Sequence, residues 1–364
     1  MFEFTIDGNG RYTIARPEEI ATPRLLVFQE KMAENIGKMR TILEKAVPGS
    51  GFSHLCPHVK TNKSSYIIAA LLQAGVTDLK VSVNEAEIAA ASGADRVFVA
   101  YPLLAHDAVL IAGLVKAYPK VQFLVQAGSL AHIDILRRAA SEQGVSWQVL
   151  LDLDVGMHRT GANPDDAWEL YEALAASGCM SFAGLHGYDG HIHHKTTIER
   201  SAASALAMNY LLDAAERFTG RGVAVPRIVA SGSPAFTHDL TYLSANIPKG
   251  IHFQVSPGTW IFWDSKYDGI IPGLFTFAAV ILAQVIETGM NTRITLNLGH
   301  KRWAADQGPV ELFAPAGMKV VLFSEEHTVL EHDPGQSFGI GDYVAIVPRN
   351  RPEAAEPEPG RQAE

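Results

Sequence analysis

Between Ser53 and Gly258 eight short apolar runs alternate with Ala- and Leu-rich segments: SHLCPHVK, DLKVSV, RVFVAY, VQFLVQA, WQVLLDLD, FAGLHGY, RIVASGS and HFQVSPG. The runs are nearly continuous in apolar residues, the pattern of strands covered on both faces. Segments such as DAWELYEALAASG and SALAMNYLLDAAERF carry apolar residues at three- and four-residue spacing with Gly near their ends, which predicts helices. Eight strand–helix units in about 210 residues predict an α/β fold, a (β/α)8 barrel whose helices cover a parallel sheet. A doubly wound open sheet is the rival. No GxGxxG turn follows an early strand, so the usual sign of a dinucleotide-binding sheet is missing and the barrel is preferred.

After Asp268 the pattern changes. FTFAAVILAQVIET, TRITLNLG, KVVLFSEEHTVLE and DYVAIVP follow one another without intervening helices, which predicts a smaller all-β domain, with FEFTI and RYTI from the N-terminus as partners. The expected organisation is a barrel over residues 22–268, a β domain from 1–21 and 269–350, and a charged, Pro-rich flexible tail at 351–364. A chain of 364 residues is long enough for one large core and a second, smaller one.

A net charge of -9 opposes a nucleic acid or an anionic membrane surface, both of which require a positive face, and leaves small molecules as the expected partners. Two cysteines, Cys56 and Cys179, supply neither a disulfide framework nor a CxxC zinc site, and a reducing compartment is expected. The opening MFEFTIDGNGRYTI lacks a basic segment followed by an apolar core, and no run reaches the roughly 18 apolar residues of a membrane span. A cytoplasmic protein without membrane partners is the expectation.

In a parallel barrel the functional groups gather at the C-terminal ends of the strands. Lys60 ends the first run, with His58 just before it. A lysine partly desolvated at a barrel mouth loses its proton more readily and suits Schiff-base formation with an aldehyde. After the fifth run, DLDVGMHRTGA places Arg159 at the same mouth between Gly156 and Gly161. SGSPAF after the seventh run and SPGTW after the eighth are Ser- and Gly-containing turns, whose backbone N–H groups and hydroxyls bind a phosphate without a basic side chain. HGYDGHIHH gathers His186, His191, His193 and His194 after the sixth run, as a solvated loop or as a source of a base or metal ligands. In the β domain, LNLGHKRWAADQGP holds His300, Arg302 and Asp306.

Taken in this order, the strand-end motifs resemble the pyridoxal-phosphate enzymes of the alanine racemase fold. More narrowly, PHVKTNKS, GYDGH and PGTWIFWD are similar to the D-threonine aldolase and D-serine dehydratase family, and the resemblance runs from about Thr22 to Pro348. It implies that Lys60 holds pyridoxal 5'-phosphate covalently, with His58 beside it, and that Ser231, Gly232, Ser233, Gly258 and Thr259 cradle the phosphate. Arg159 is implied near the phenolic oxygen and Tyr188 near the ring, in a homodimer. The implied activity is a lyase that cleaves a D-β-hydroxy amino acid to glycine and an aldehyde, with Lys60, His193 and His300 as the candidate catalytic residues. The alternatives are dehydration of a D-serine-like or 3-hydroxy amino acid, a racemase or epimerase using Lys60 and His300 as opposed bases, and a non-catalytic cofactor carrier. The family also carries a divalent metal, Mn or Zn, on a VPxHxC or VPxHxD segment. Here that segment reads VPRNRP, so Asn350 and Pro352 replace the usual ligands and leave the metal unassigned.

Overall fold

The computed structural model describes residues 1–6, 8–289, 291–302 and 312–349. Two compact units divide the chain, one built on Met39–Gly258 and the other on Met1–Lys38 with Thr259–Pro352. The chain opens with β1 (Phe2–Ile6) and β2 (Gly10–Ile14), an antiparallel hairpin, followed by β3 (Arg24–Val27) and α1 (Gln29–Ala46).

The barrel unit continues through α2 (Ser65–Gln73), β4 (Asp78–Val81), α3 (Ala86–Ala91), β5 (Arg96–Val99), α4 (Ala105–Ala117), β6 (Gln122–Ala127) and α5 (Leu130–Gln143). It then runs through β7 (Trp147–Leu153), α6 (Ala167–Ala176), β8 (Met180–Gly187), α7 (Thr197–Gly220), β9 (Arg227–Ala230), α8 (Phe236–Asn246) and β10 (His252–Val255). These seven strands are parallel neighbours in sequence order, β4 at one edge and β10 at the other. The run SHLCPHVK, expected as an eighth strand, makes only two isolated parallel bridges, Leu55 to Val255 and His58 to Lys80. It thereby links the two edge strands: the Cys56 N–H donates to Val255 O at 3.0 Å and the Lys80 N–H to Pro57 O at 3.0 Å. Pro57 has no N–H to give, so the ladder cannot continue through it.

The barrel interior is stratified. Phe98, Leu124, Leu150, Ala183, Val229 and Cys56 form an apolar middle layer. Toward the strand N-termini lies buried Asp78, which accepts from Arg96 Nη1 at 2.6 Å and from Gln254 Nε2 at 2.7 Å. On the other side of the apolar layer are Lys80, Gln126, Asp152 and His186, all buried. Inward positions recur every second residue along a strand, as in Gln148, Leu150 and Asp152, so polarity changes with depth although each strand is apolar overall.

In the other unit α9 (Ser265–Ile270) precedes β11 (Ala279–Glu287), β12 (Arg293–Leu296), β13 (Phe313–Ala314), β14 (Met318–Phe323), β15 (Thr328–His332) and β16 (Tyr343–Ile346). These strands are antiparallel in the order β13-β16-β11-β12-β15-β14, with β3 also paired to β11. Ile281, Val285, Leu296, Leu330 and Ile346 alternate inward to form its core. This unit takes in Arg24–Val27 and the segment from Thr259, which the sequence had assigned to the barrel. The cause is visible in α1: Asn35 donates to Ile261 O at 3.2 Å and to Thr276 O at 2.7 Å, and accepts from the Thr276 N–H at 2.8 Å. No helix among the described residues is long and apolar enough to cross a membrane.

Candidate functional site

Lys60 lies in a single helical turn, Val59–Thr61, just past the linking segment. His58 caps that turn, its Nδ1 accepting the Lys60 N–H at 3.2 Å. An accepting Nδ1 makes His58 a neutral imidazole with its hydrogen on Nε2. Burial, with the charges of Lys60 and Lys80 beside it, pushes its pKa well below the ordinary histidine range. Lys60 and His58 open onto a cavity of about 520 Å³ at the C-terminal ends of the strands, shared with Lys80, Arg159, His186 and Tyr188. Three cations surround the Tyr188 ring: Arg159 Cζ at 4.9 Å, Lys80 Nζ at 5.4 Å and Lys60 Nζ at 6.0 Å from its centroid. Arg159 is carried there by the loop after β7, which Asp154 folds by accepting the Gly156 and His158 N–H groups at 2.9 and 3.0 Å. Gly161 closes that loop with φ +101, and a Cβ there would lie 2.6 Å from the Asp154 nitrogen, so no other residue fits.

The Ser- and Gly-containing turns pack directly behind this cavity without lining it. A Cβ on Gly232 would lie 3.4 Å from the Tyr188 ring, and one on Gly258 would lie 3.1 Å from His58 O. Thr61 Oγ1 donates to Gly258 O at 3.2 Å. Ser231 holds a φ of +83, unusual outside glycine. The Gly232 N–H donates to the Asp189 carboxylate, and the Gly258 N–H to Ser233 Oγ at 3.1 Å. Asp189 and Asp239 are a buried pair: burial raises both, and the charge of Asp189 lifts Asp239 well above the carboxylate range, so the pair retains a proton. Thr259, the fifth residue of the expected cradle, is buried and opens the second segment of the other unit.

A buried polar chain beneath the cavity has no counterpart among the expected site residues other than His186. Lys80 Nζ lies 2.8 Å from His186 Nε2, and His186 Nδ1 lies 2.7 Å from Asp152 Oδ1. Gln126 Nε2 donates to Asp152 Oδ2 at 3.1 Å, and Lys80 Nζ to Ser256 Oγ at 3.0 Å. Burial is the main reason that Lys80 falls to about 8 and His186 to about 4. The sequence does hold a signal for this chain: Lys80 in DLKVSV, Asp152 in WQVLLDLD and Gln126 in VQFLVQA each interrupt a strand otherwise built for a dry interior.

The histidine loop is divided in the structure. His191 lines a separate cavity of about 490 Å³ with Asp154 and His158. His193 is half-buried in the turn after β8 and is not among the residues lining the Lys60 cavity. His300 belongs to the β unit, where its N–H donates to Ser324 O at 2.9 Å and its ring stands edge-on to Phe323 at 5.7 Å. Lys63, the lysine nearest Lys60 in sequence, is bound to buried Glu85 at 3.5 Å. Asp306, Asn350 and Pro352 lie outside the described residues, and among those described no three His, Cys, Asp or Glu side chains gather as a metal site.

The barrel mouth offers a small anion three cations, one of them the lysine amine of Lys60. Pyridoxal phosphate fits this donor set. The volume is within the roughly 300–1,000 Å³ of cofactor pockets. The chain belongs to the alanine racemase N-terminal domain family, whose model matches residues 28–264, while the serine dehydratase domain matches residues 278–350. It is 26% identical over 305 residues to the D-threonine aldolase of Arthrobacter sp, covering 81% of this chain and 77% of that protein. It is 25% identical over 343 residues to the 3-hydroxy-D-aspartate aldolase of Paracoccus denitrificans (strain Pd 1222), covering 91% and 85% of the two. The solved structure of D-threonine aldolase from Filomicrobium marinum matches with a TM-score of 0.82 at 23% identity, covering 91% of this chain and 88% of that one.

Proposed function

We propose that the protein is a pyridoxal-phosphate lyase that cleaves a D-β-hydroxy amino acid to glycine and an aldehyde. The observation that carries this reading is one cavity lined by Lys60, Arg159, Tyr188 and neutral His58, in a chain whose relatives include two aldolases of D-amino acids. When bound, the cofactor withdraws electrons from whichever substrate Cα bond stands perpendicular to its ring. Lys60 would supply the amine that holds it. Arg159 would offer a fixed cation to the phenolic oxygen, and Gly232 and Gly258 adjoin Tyr188 and His58 where a phosphate would be held. Cleavage of the Cα–Cβ bond requires a base for the β-hydroxyl proton, and His193 and His300 are the residues proposed for it. A cytoplasmic homodimer completes the proposal, and a divalent ion is left to metal analysis.

The test is the purified protein's absorbance in the pyridoxal-imine region, followed by a screen of D- and L-β-hydroxy amino acids with product analysis. Glycine and an aldehyde from the D-isomers are expected. Ammonia and a keto acid would move the assignment to dehydration, the activity named for a D-threo-3-hydroxyaspartate dehydratase of Delftia sp. (strain HT23) that is 27% identical over 250 residues. Loss of optical rotation alone would move it to racemisation.

A further inference from the structure

The proposed function leaves one cavity cation without a task. Lys80 is 3% exposed, yet it lines the same cavity as Lys60. Its ammonium has three hydrogens, of which His186 Nε2 takes one at 2.8 Å and Ser256 Oγ another at 3.0 Å. No acceptor for the third stands among the described residues. The neighbours cannot donate in its place. His186 accepts on Nε2, so its hydrogen is on Nδ1 and is given to Asp152 at 2.7 Å. The Ser256 hydroxyl directs its hydrogen to Ala230 O at 2.8 Å or Ser231 O at 3.1 Å. Among these three floor residues the uncommitted hydrogen therefore belongs to Lys80.

The ring chemistry of the cofactor indicates what meets it. In pyridoxal phosphate the phenolic oxygen, the aldehyde and the phosphate arm occupy three adjacent ring carbons, and the ring nitrogen is opposite the aldehyde. Lys60 and Arg159, the residues assigned to the aldehyde and the phenolic oxygen, are exposed at the mouth, whereas Lys80, His186 and Ser256 are buried. A ring held by its substituted half at the mouth turns its nitrogen toward the floor. We propose that Lys80 donates its third hydrogen to the ring nitrogen of bound pyridoxal phosphate, with His186 and Ser256 holding the ammonium in place. The inference rests on the cofactor reading given above. It makes the ring nitrogen an acceptor without a proton of its own, supplied by a cation from β4. Lys80 is still mostly an ammonium at neutral pH, since burial lowers it only to about 8.

The experiment compares pyridoxal phosphate with its 1-deaza analogue, in which a C–H replaces the ring nitrogen and cannot accept. Apo-protein is titrated with each, and the dissociation constants are read from cofactor absorbance for wild type, Lys80→Met and Lys80→Gln. A hydrogen bond from a charged donor corresponds to on the order of 10- to 100-fold in affinity. Wild type is expected to prefer the natural cofactor by that factor, and Lys80→Met to bring the two within about threefold of each other. A wild-type preference near unity overturns the proposal without any variant, so a variant that fails to fold does not protect it. A preference that survives intact in Lys80→Met or Lys80→Gln also overturns it, including the case in which Lys80 serves the substrate carboxylate instead. Borohydride reduction and peptide mapping separate the two levels: label on Lys60 with both compounds upholds the cofactor reading whatever the ratio, and absence of label there with either removes that reading and this inference together.

Discussion

Replacing Lys80 with methionine should give a stability difference from wild type that depends on pH in one window. In the folded barrel Lys80 loses its proton near about 8 rather than the ordinary 10.5. Burial is the largest cause, the charge of Lys60 adds to it, and Asp152 and Asp189 oppose it. Below about 8 the folded and unfolded chains both carry the proton, so the folded state bears the full expense of a buried cation. Between about 8 and 10.5 the unfolded chain binds about one more proton than the folded chain, and stability therefore rises with pH. Above that the gain is complete. The gap of about 2.5 pH units, at about 1.4 kcal/mol each, amounts to about 3.5 kcal/mol, of which about 3 kcal/mol is gained by pH 10.5. The methionine variant lacks this dependence. Urea unfolding of both apo-proteins, followed by far-UV circular dichroism at intervals from about pH 7 to 10.5, measures it, and groups that do not interact with Lys80 cancel in the difference. His186 does not intrude: burial and Lys80 hold it near about 4, and without Lys80 it rises no further than the ordinary histidine range, below the window. Wild type should gain about 3 kcal/mol on the variant across the window. A flat difference, or one of opposite sign, would show that Lys80 is not strained toward its neutral form in the folded barrel.

Four further outcomes are expected. Lys60→Ala should abolish the borohydride-reducible cofactor adduct; an adduct that persists on Lys80 or Lys63 would relocate the cofactor lysine. Arg159→Leu removes the cation 4.9 Å from the Tyr188 ring and should move the pH at which the cofactor band changes, so a spectrum unaltered across pH would place Arg159 outside the cofactor's field. His193→Ala and His300→Ala separately test the base: loss of the true base should lower the rate by on the order of 10² to 10⁴ while cofactor absorbance is retained, and full activity in both variants would remove both candidates. Gly184→Ala sets a Cβ onto the Arg227 carbonyl oxygen at a φ of +129, which should destabilise the β8–β9 pairing by at least about 3 kcal/mol; an unchanged thermal midpoint would contradict the described register.

Much of the architecture was legible because burial on both faces leaves a mark that does not depend on tertiary detail. Seven of the eight runs are strands, and those strands pair in sequence order, as right-handed strand–helix units dictate. The exception was legible in retrospect, since Pro57 within SHLCPHVK removes a ladder donor. The unit boundary was not legible. It depends on Asn35 meeting Ile261 and Thr276, partners more than 220 residues away that no local pattern announces. Lys60 and Arg159 could be chosen from the ends of the apolar runs, because in a parallel barrel all strand C-termini open on one face, whereas Tyr188 was implied only by the family resemblance.

Lys80 could not be chosen in the same way, although its position within an apolar strand was visible. A lysine in DLKVSV could have pointed outward between helices, with its ammonium reaching solvent along an aliphatic stem. What directs it inward is a coincidence of depth: Asp152 on β7 and His186 on β8 lie at the level where its side chain ends, and His186 is 106 residues distant in sequence. That level is set by the stagger of the strands around the barrel, which accumulates from pairings such as Gln126 with Leu150 and Asp152 with His186. Hydrophobic periodicity predicts which residues face inward but carries no information on which of them share a level. The same reasoning separates the two kinds of buried charge in this barrel. Asp78 is surrounded by Arg96, Arg227 and Gln254 toward the N-terminal ends of the strands, where its partners satisfy it. Lys80 has partners for two hydrogens and lines a cavity, so its neighbours account for its position only in part.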